Sequence, residues 1–207
     1  MIKIGALVSG GGTNLQAIMD SINRGEINGK IVSVVSNKAD AYALERAAKN
    51  SIETAVIKPK GYPDRKAYTE GLIEHFKEKQ VDLIVLCGFM LILDPSFDRA
   101  FPNMVMNIHP ALIPSFCGKG FYGLHVHEAA LKKGVKVTGA TVHFADGICD
   151  NGPIILQKAV EVKDDDTPEI LQKRVMEEAE WKIFPQAVAL FADGKIKVEN
   201  GIVKILK

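Results

Sequence analysis

Short apolar runs alternate with stretches of helical periodicity along the first half of the chain. The apolar runs predict strands at 2–8, 31–35, 53–57 and 82–87. Between the runs, apolar residues recur three or four positions apart, as Leu15, Ile18 and Ile22 do, and this spacing predicts helices. Because strands and helices alternate, we expect a parallel sheet with right-handed crossovers.

The second half of the chain predicts a change of strand direction. Residues 104–108 form another apolar run, 136–145 alternates as a strand does, and 154–162 returns after a turn rich in glycine and aspartate. Such a hairpin adds antiparallel strands to the sheet. The predicted fold is therefore α/β, with a mostly parallel, doubly wound, Rossmann-like sheet, an antiparallel C-terminal strand addition and a single domain.

A long helix is predicted near the C-terminus. Thr167 is a typical N-cap residue, and Pro168 and Glu169 suit the first helical turn. Helical periodicity continues to about Phe191, so we expect Pro185 to kink or break this helix. Asp-Gly and Asn-Gly pairs beyond it predict a small terminal hairpin.

Composition and charge narrow the class of protein. The 207 residues are 47% hydrophobic and 25% charged, as in ordinary globular proteins. A net charge of +1 favours neither a nucleic-acid partner nor a membrane surface, and no apolar run is long enough for a signal peptide or a membrane span. Three scattered cysteines, Cys87, Cys117 and Cys149, indicate a reducing cytoplasm and argue against a disulfide framework or a thiolate zinc site.

A glycine-rich turn at residues 9–14 follows the first strand and precedes a helix. This arrangement offers backbone N–H groups and the positive end of a helix dipole to a phosphate. Leu15 stands where a dinucleotide-binding turn has its third glycine, and the Gly-Lys-Ser/Thr of a P-loop is missing. The turn therefore suits a mononucleotide or a phosphosugar better than NAD or ATP, unless it is only a tight turn.

The chain is organised around residues 104–114, which begin with the fifth strand. Asn107 and His109 lie two positions apart and therefore face the same side of that strand. Pro110 ends the strand, because proline has no N–H for the ladder. An amide donor and a titratable base are thus expected side by side where α/β sheets bind ligands. The alternative is an ordinary hydrogen-bonded pair at a strand end.

Other loops carry candidates with open alternatives. The apolar segment 88–93 is either a slot for a flat ligand or a buried turn, and the glycine-aromatic loop 115–123 is either a flap or a surface loop. Asp146 and Asp150 lie in the hairpin turn, where aspartates are usually turn formers. His125 and His127 point to different faces of a helix, so we expect no metal site.

Taken together, several motifs resemble the phosphoribosylglycinamide formyltransferases, purine-biosynthesis enzymes that use 10-formyltetrahydrofolate. The stretches that carry the resemblance are 9–18, 36–41, 88–90, 107–114, 139–144 and 150–157. They cover almost the whole chain in the right order. Two departures are Leu91, where many members have arginine, and Ala111, where a serine is common.

The resemblance implies a role for each matching residue. The implied catalytic residues are Asn107, His109 and Asp150. The implied contacts of the substrate phosphate and ribose are Gly12, Thr13, Asn14 and Glu180. The implied folate-binding residues are Arg65, Met90, Leu91, Ile92, Leu93 and Asn107.

The implied activity is direct formyl transfer to the amine of phosphoribosylglycinamide in the cytoplasm, by a monomer or homodimer, without a metal. Residues 1–100 would form the phosphate-binding half of a domain spanning 1–207, and 101–207 the catalytic and folate-binding half. In this chemistry a carboxylate at Asp150 would raise the pKa of His109. The alternatives are transfer to another acceptor, hydrolysis of the formyl-folate, or a nucleotide-sensing module without chemistry.

Overall fold

A mixed sheet forms the centre of the protein, for which the computed structural model describes residues 1–206. Its strands are β1 (Ile2–Val8), β2 (Gly29–Ser36), β3 (Thr54–Val56), β4 (Leu83–Cys87), β5 (Val105–His109), β6 (Val137–Phe144) and β7 (Ile154–Glu161). Their order across the sheet is β3-β2-β1-β4-β5-β6-β7. Pairs from β3 to β5 are parallel, whereas β6 is antiparallel to both β5 and β7. The predicted fold class is confirmed.

Helices cover both faces of this sheet. They are α1 (Thr13–Asn23), α2 (Tyr42–Lys49), α3 (Arg65–Glu78), α4 (Ser96–Ala100), α5 (Leu124–Lys133), α6 (Pro168–Val175) and α7 (Trp181–Ala192). Thr167 caps α6 as predicted, because its side chain accepts a hydrogen bond from the Ile170 N–H. The predicted terminal hairpin is formed by β8 (Ile196–Glu199) and β9 (Ile202–Ile205), which pair in a separate small sheet.

The apolar side chains form one core on each side of the sheet. Ile4 and Val8 of β1 enter the larger core with residues of α1, α2, α6 and α7, whereas Leu7 enters the smaller core with α3 and α4. A strand buried on both faces is apolar at successive positions, which explains the continuous run at the start of the chain.

The long C-terminal helix is irregular, but not at the predicted position. Pro185 lies inside α7, and the irregularity is a wide π-helical turn at Met176–Glu180, between α6 and α7. The prediction of a break at Pro185 was therefore wrong, whereas the alternative of a kink there stays a prediction. The hydrogen bond that Pro185 cannot make would have gone one turn back, to Trp181 at the junction with the wide turn, and the distortion is taken up there.

The strand order places the functional loops at one edge of the sheet. The chain leaves β1 toward β2 on one side, and β4 lies on the other side of β1. Loops that follow β1 and β4 therefore meet at a switch point, where open α/β sheets bind ligands. Among residues 1–206, no helix has the length and apolar character needed to cross a membrane.

Candidate active site

The Asp150 carboxylate lies where four polar groups converge. The Gly118 N–H donates to Oδ2 at 2.9 Å, and the Asn107 amide donates to Oδ1 at 3.3 Å. His109 Nδ1 is 3.5 Å from Oδ2 and His143 Nε2 is 3.6 Å from Oδ1. The three residues that the resemblance implied as catalytic are thus brought together.

Strand pairing accounts for this arrangement. Asn107 and His109 project from the same side of β5, and His143 lies opposite Asn107 in the antiparallel pair with β6. Asp150 comes from the turn between β6 and β7, and its backbone is left-handed, with φ 53°. The sequence interpretation did not include His143 in the site. The alternation of β6 could assign His143 to one face of its strand, but it could not show which strand would lie beside β6.

His109 is buried, and both of its ring nitrogens face acceptors. Nε2 donates to the Phe116 carbonyl at 2.8 Å, and Nδ1 faces Asp150. Burial lowers the pKa of His109 below its ordinary value, although Asp150 and the Phe116 carbonyl act in the opposite direction. The predicted effect of Asp150, which is to raise this pKa, is confirmed in direction, but desolvation of the imidazolium outweighs the attraction of the carboxylate.

The Asp150 carboxyl stays ionised in this environment. Burial acts to raise its pKa, but the hydrogen bond with His143, the nearby His109 and the Gly118 N–H together hold that pKa below its ordinary value. The site therefore pairs a fixed negative charge with an imidazole that is neutral near pH 7. Such a pair can accept a proton and stabilise the cation that results.

The glycine turn forms an open helix N-terminus at the switch point. Gly12 adopts φ 70° immediately before α1, and within the described chain the first turn of α1 contains no acidic residue and receives no side-chain cap. Its N–H groups are thus available to an anion. Ser9 joins the neighbouring loops, because its hydroxyl donates to Asn37 Oδ1 at 2.7 Å and accepts from the Met90 N–H at 2.9 Å.

Glu180 reaches this turn from the opposite end of the chain. The Asn14 side-chain N–H donates to Glu180 Oε2 at 2.6 Å. Glu180 is buried at the end of the π-helical turn, and burial raises its pKa to about 7, while the Asn14 hydrogen bond acts in the opposite direction. Two implied substrate contacts that are distant in sequence therefore lie against each other.

The apolar segment 88–93 is half exposed. Met90 and Ile92 expose 51% and 53% of their surface, whereas Leu91 and Leu93 pack against the smaller core. The alternative of a buried turn is thus excluded. Arg65 lies beside this segment, 4.0 Å from Asp94, and its side chain is 59% exposed.

The two histidines at the start of α5 have separate environments. His125 is exposed and its Nδ1 lies 3.0 Å from Glu128. His127 is fully buried, burial lowers its pKa to about 4, and neither ring nitrogen has a hydrogen-bond partner in residues 1–206. Over the same residues, no group of three or more His, Cys, Asp or Glu side chains is arranged to hold a metal ion.

Comparisons with known proteins agree with this geometry. The sequence model of the formyl transferase family matches residues 2–188. Phosphoribosylglycinamide formyltransferase of Haemophilus influenzae is 37% identical over 98% of this chain and 92% of its own length. The crystal structure of glycinamide ribonucleotide transformylase 1 from Symbiobacterium toebii superposes with a TM-score of 0.94 at 45% identity, covering 100% of this chain and 95% of that one.

Several relatives are much longer than this chain. The trifunctional purine biosynthetic protein adenosine-3 of Bos taurus is 44% identical over 96% of this chain, but the match covers only 19% of that protein. The chain therefore corresponds to about a fifth of this larger protein.

Proposed function

The chain belongs to the formyl transferase family, and we propose that it transfers the formyl group of 10-formyltetrahydrofolate to the amine of phosphoribosylglycinamide, in purine biosynthesis. The observation that carries this proposal is the convergence of Asn107, His109 and Asp150 at the edge of the sheet that also presents the glycine turn. The likeness to phosphoribosylglycinamide formyltransferases, over nearly the whole of this chain and of theirs, supports this substrate pair.

The proposed reaction is direct acyl transfer. The substrate amine attacks the formyl carbon, and a tetrahedral intermediate with a negative oxygen forms. Neutral His109 takes the proton of the attacking amine, and the imidazolium and the Asn107 amide then donate to the oxygen. Asp150 balances the charge on the imidazolium. Collapse of the intermediate returns the proton to the departing folate nitrogen, so no covalent enzyme intermediate is needed.

The Phe116 carbonyl must leave His109 during this reaction. It occupies the hydrogen-bonding position of Nε2, at 2.8 Å. Because Nδ1 faces Asp150, Nε2 is the nitrogen that a substrate can reach. Once the carbonyl has left, the ring proton must lie on Nδ1, against Asp150, so that the lone pair of Nε2 can take the proton of the amine. We infer that a substrate group displaces the carbonyl, which requires a movement of loop 115–123.

The phosphate and ribose are proposed to bind where α1 begins. Backbone N–H groups of Gly12, Thr13 and Asn14 would hold the phosphate, and Glu180 would contact the ribose. A Glu180 carboxyl with a pKa of about 7 is about half protonated near neutral pH, which lessens repulsion of the phosphate dianion. The bond between Asn14 and Glu180 joins the proposed halves 1–100 and 101–207 at this position.

The folate is proposed to bind against the other loop at the switch point. Exposed side chains of Met90 and Ile92 offer apolar surface for the pterin ring. Leu91 and Leu93 attach this segment to the smaller core, Arg65 lies beside it, and Asn107 lies at the reacting end. Both substrates are small molecules, and the monomeric or homodimeric state and the cytoplasmic location stay predictions from the sequence.

A coupled assay tests the proposed function. The protein is mixed with 10-formyltetrahydrofolate, and release of the deformylated folate is followed with and without phosphoribosylglycinamide. We expect release only when the amine substrate is present, with stoichiometric formylation of that amine. Release without the amine would instead indicate a hydrolase, and binding of either ligand without turnover would indicate a sensing module.

A further inference from the structure

The segment that follows His109 depends on side chains for part of its backbone hydrogen bonding. Residues 111–113 lie between Pro110 and Pro114, neither of which has an N–H group, and the Leu112 carbonyl accepts from the Ser115 N–H at 3.0 Å. A side chain of β6 supplies two further partners. The Thr141 hydroxyl donates to the Ala111 carbonyl at 2.7 Å and accepts from the Ile113 N–H at 3.1 Å.

Gln157 of β7 completes this network. Its side-chain N–H donates to the Thr141 hydroxyl and to the Ile113 carbonyl, both at 3.0 Å. A hydroxyl has one proton to donate and two lone pairs, so the buried Thr141 hydroxyl is fully used. Thr141 also pairs with His109 in the β5–β6 ladder and with Gln157 in the β6–β7 ladder.

We propose that Thr141, supported by Gln157, is a positioning residue for formyl transfer, which fixes the turn between His109 and loop 115–123. This inference rests on the proposed function. The turn leads directly to Phe116, whose carbonyl binds His109, and to Gly118, whose N–H binds Asp150. The network thereby sets both contacts of the loop with the reacting groups.

Loss of the hydroxyl alone should disturb this turn. Without it the Ala111 carbonyl and the Ile113 N–H lose their hydrogen-bond partner. An unsatisfied polar group is costly, so we expect the turn to shift until both groups are hydrogen-bonded again. A displacement of about 1 Å at reacting groups can reduce the rate roughly 100-fold. The open start of α1, which we propose holds the phosphate, takes no part in this network.

The test compares Thr141→Val with two matched variants. Thr141→Ser keeps the hydroxyl, and Thr138→Val makes the same chemical change on the same strand. Thr138 is also buried, but its hydroxyl has no hydrogen-bond partner in residues 1–206. We expect kcat to fall about tenfold or more in Thr141→Val, with KM for phosphoribosylglycinamide within about threefold of the parent. Thr141→Ser should restore most of kcat, and Thr138→Val should retain it.

A purely structural role would give a different pattern. Circular dichroism gives the folded fraction of each variant, so that kcat can be expressed per folded molecule. If this kcat for Thr141→Val stays within about twofold of the value for Thr138→Val, the inference is overturned. The imidazole titration of His109, followed by NMR, supplies a readout that needs no turnover. If the parent lacks formyl transfer, the proposed function fails. In that case an unchanged His109 midpoint in Thr141→Val overturns the positioning role, and a displaced midpoint supports it.

Discussion

Asp150 combines two properties that are usually found in different residues. Its left-handed backbone, φ 53°, is a conformation that aspartate tolerates better than most residues, and this suits a turn former. The same conformation directs the carboxylate toward Asn107, His109 and His143. Turn formation and a proposed part in catalysis are therefore compatible at this residue, because the turn is what delivers the charge to the imidazole.

Asp150→Asn should reduce turnover without weakening substrate binding. Asparagine keeps the shape and tolerates the left-handed backbone, but it removes the charge that raises the pKa of His109, so this pKa should fall further. We expect kcat to fall on the order of 10²-fold, as for loss of a group that acts in the transition state. The measurements are kcat and the His109 titration by NMR.

Asp146→Asn is the matched control for this variant. Asp146 lies in the same turn and accepts hydrogen bonds from the Ile148 N–H and the Asn151 side chain. If Asp150→Asn and Asp146→Asn agree within about twofold in kcat and give the same His109 midpoint, Asp150 is only a turn residue.

At the scale of elements, two loops at the switch point share one hydrogen-bonding residue. Ser9 at the end of β1 contacts Asn37 after β2 and Met90 after β4. The proposed phosphate and folate sites are therefore built on loops that are tied to each other. Each loop can still be tested separately, because the residues that serve one site do not line the other.

Gly12→Ala should damage the proposed phosphate site. An added Cβ would lie 2.6 Å from the Ala43 Cβ, at a residue whose φ is +70°. Left-handed backbone at a non-glycine residue costs roughly 1–3 kcal/mol, and the contact with α2 adds to this cost. We expect a lower melting temperature and a higher KM for phosphoribosylglycinamide, measured by thermal unfolding and initial rates. Gly10→Ala meets no atom within 4 Å and should leave the melting temperature unchanged; equal melting temperatures for both variants would contradict this account.

Charged substitutions in the apolar segment should weaken folate binding selectively. Met90 and Ile92 are exposed, so Met90→Asp or Ile92→Asp adds a charge without burying it. We expect KM for 10-formyltetrahydrofolate to rise about tenfold or more, while KM for phosphoribosylglycinamide changes little, because only the folate requires apolar contact here. Ile202→Asp, at an exposed residue of the terminal hairpin, is the control. An equal increase in both KM values would indicate general misfolding.

At the scale of the whole molecule, the sequence predicted what depends on local patterns. Periodicities of a few residues predict the strand positions and the common face of Asn107 and His109. The alternation of strands and helices predicts that the first strands run parallel. The position of His143 beside Asn107 depends on the register between β5 and β6, which no local pattern specifies. The direction of the His109 pKa shift depends on burial from many sides. The irregular turn ends just before α7 begins, about one turn ahead of Pro185, and the proline in the sequence does not by itself specify where the helix is distorted.

Glu180 should make the stability of the whole protein depend on pH. Burial raises its pKa from 4.5 to about 7, so the folded state favours the protonated carboxyl. The stability that this protonation contributes is complete below the unfolded value of 4.5, and it is lost as pH rises through the interval up to about 7. The difference corresponds to about 3 kcal/mol.

Glu180→Gln removes the titration. When the pH is raised from about 5 to about 8, the free energy of unfolding of this variant should therefore gain up to this amount relative to that of the parent. Urea unfolding at both pH values measures this change, and Glu178→Gln, at an exposed residue of the same turn, is the control. If both variants keep the pH dependence of the parent, the Glu180 carboxyl is ionised in the folded protein.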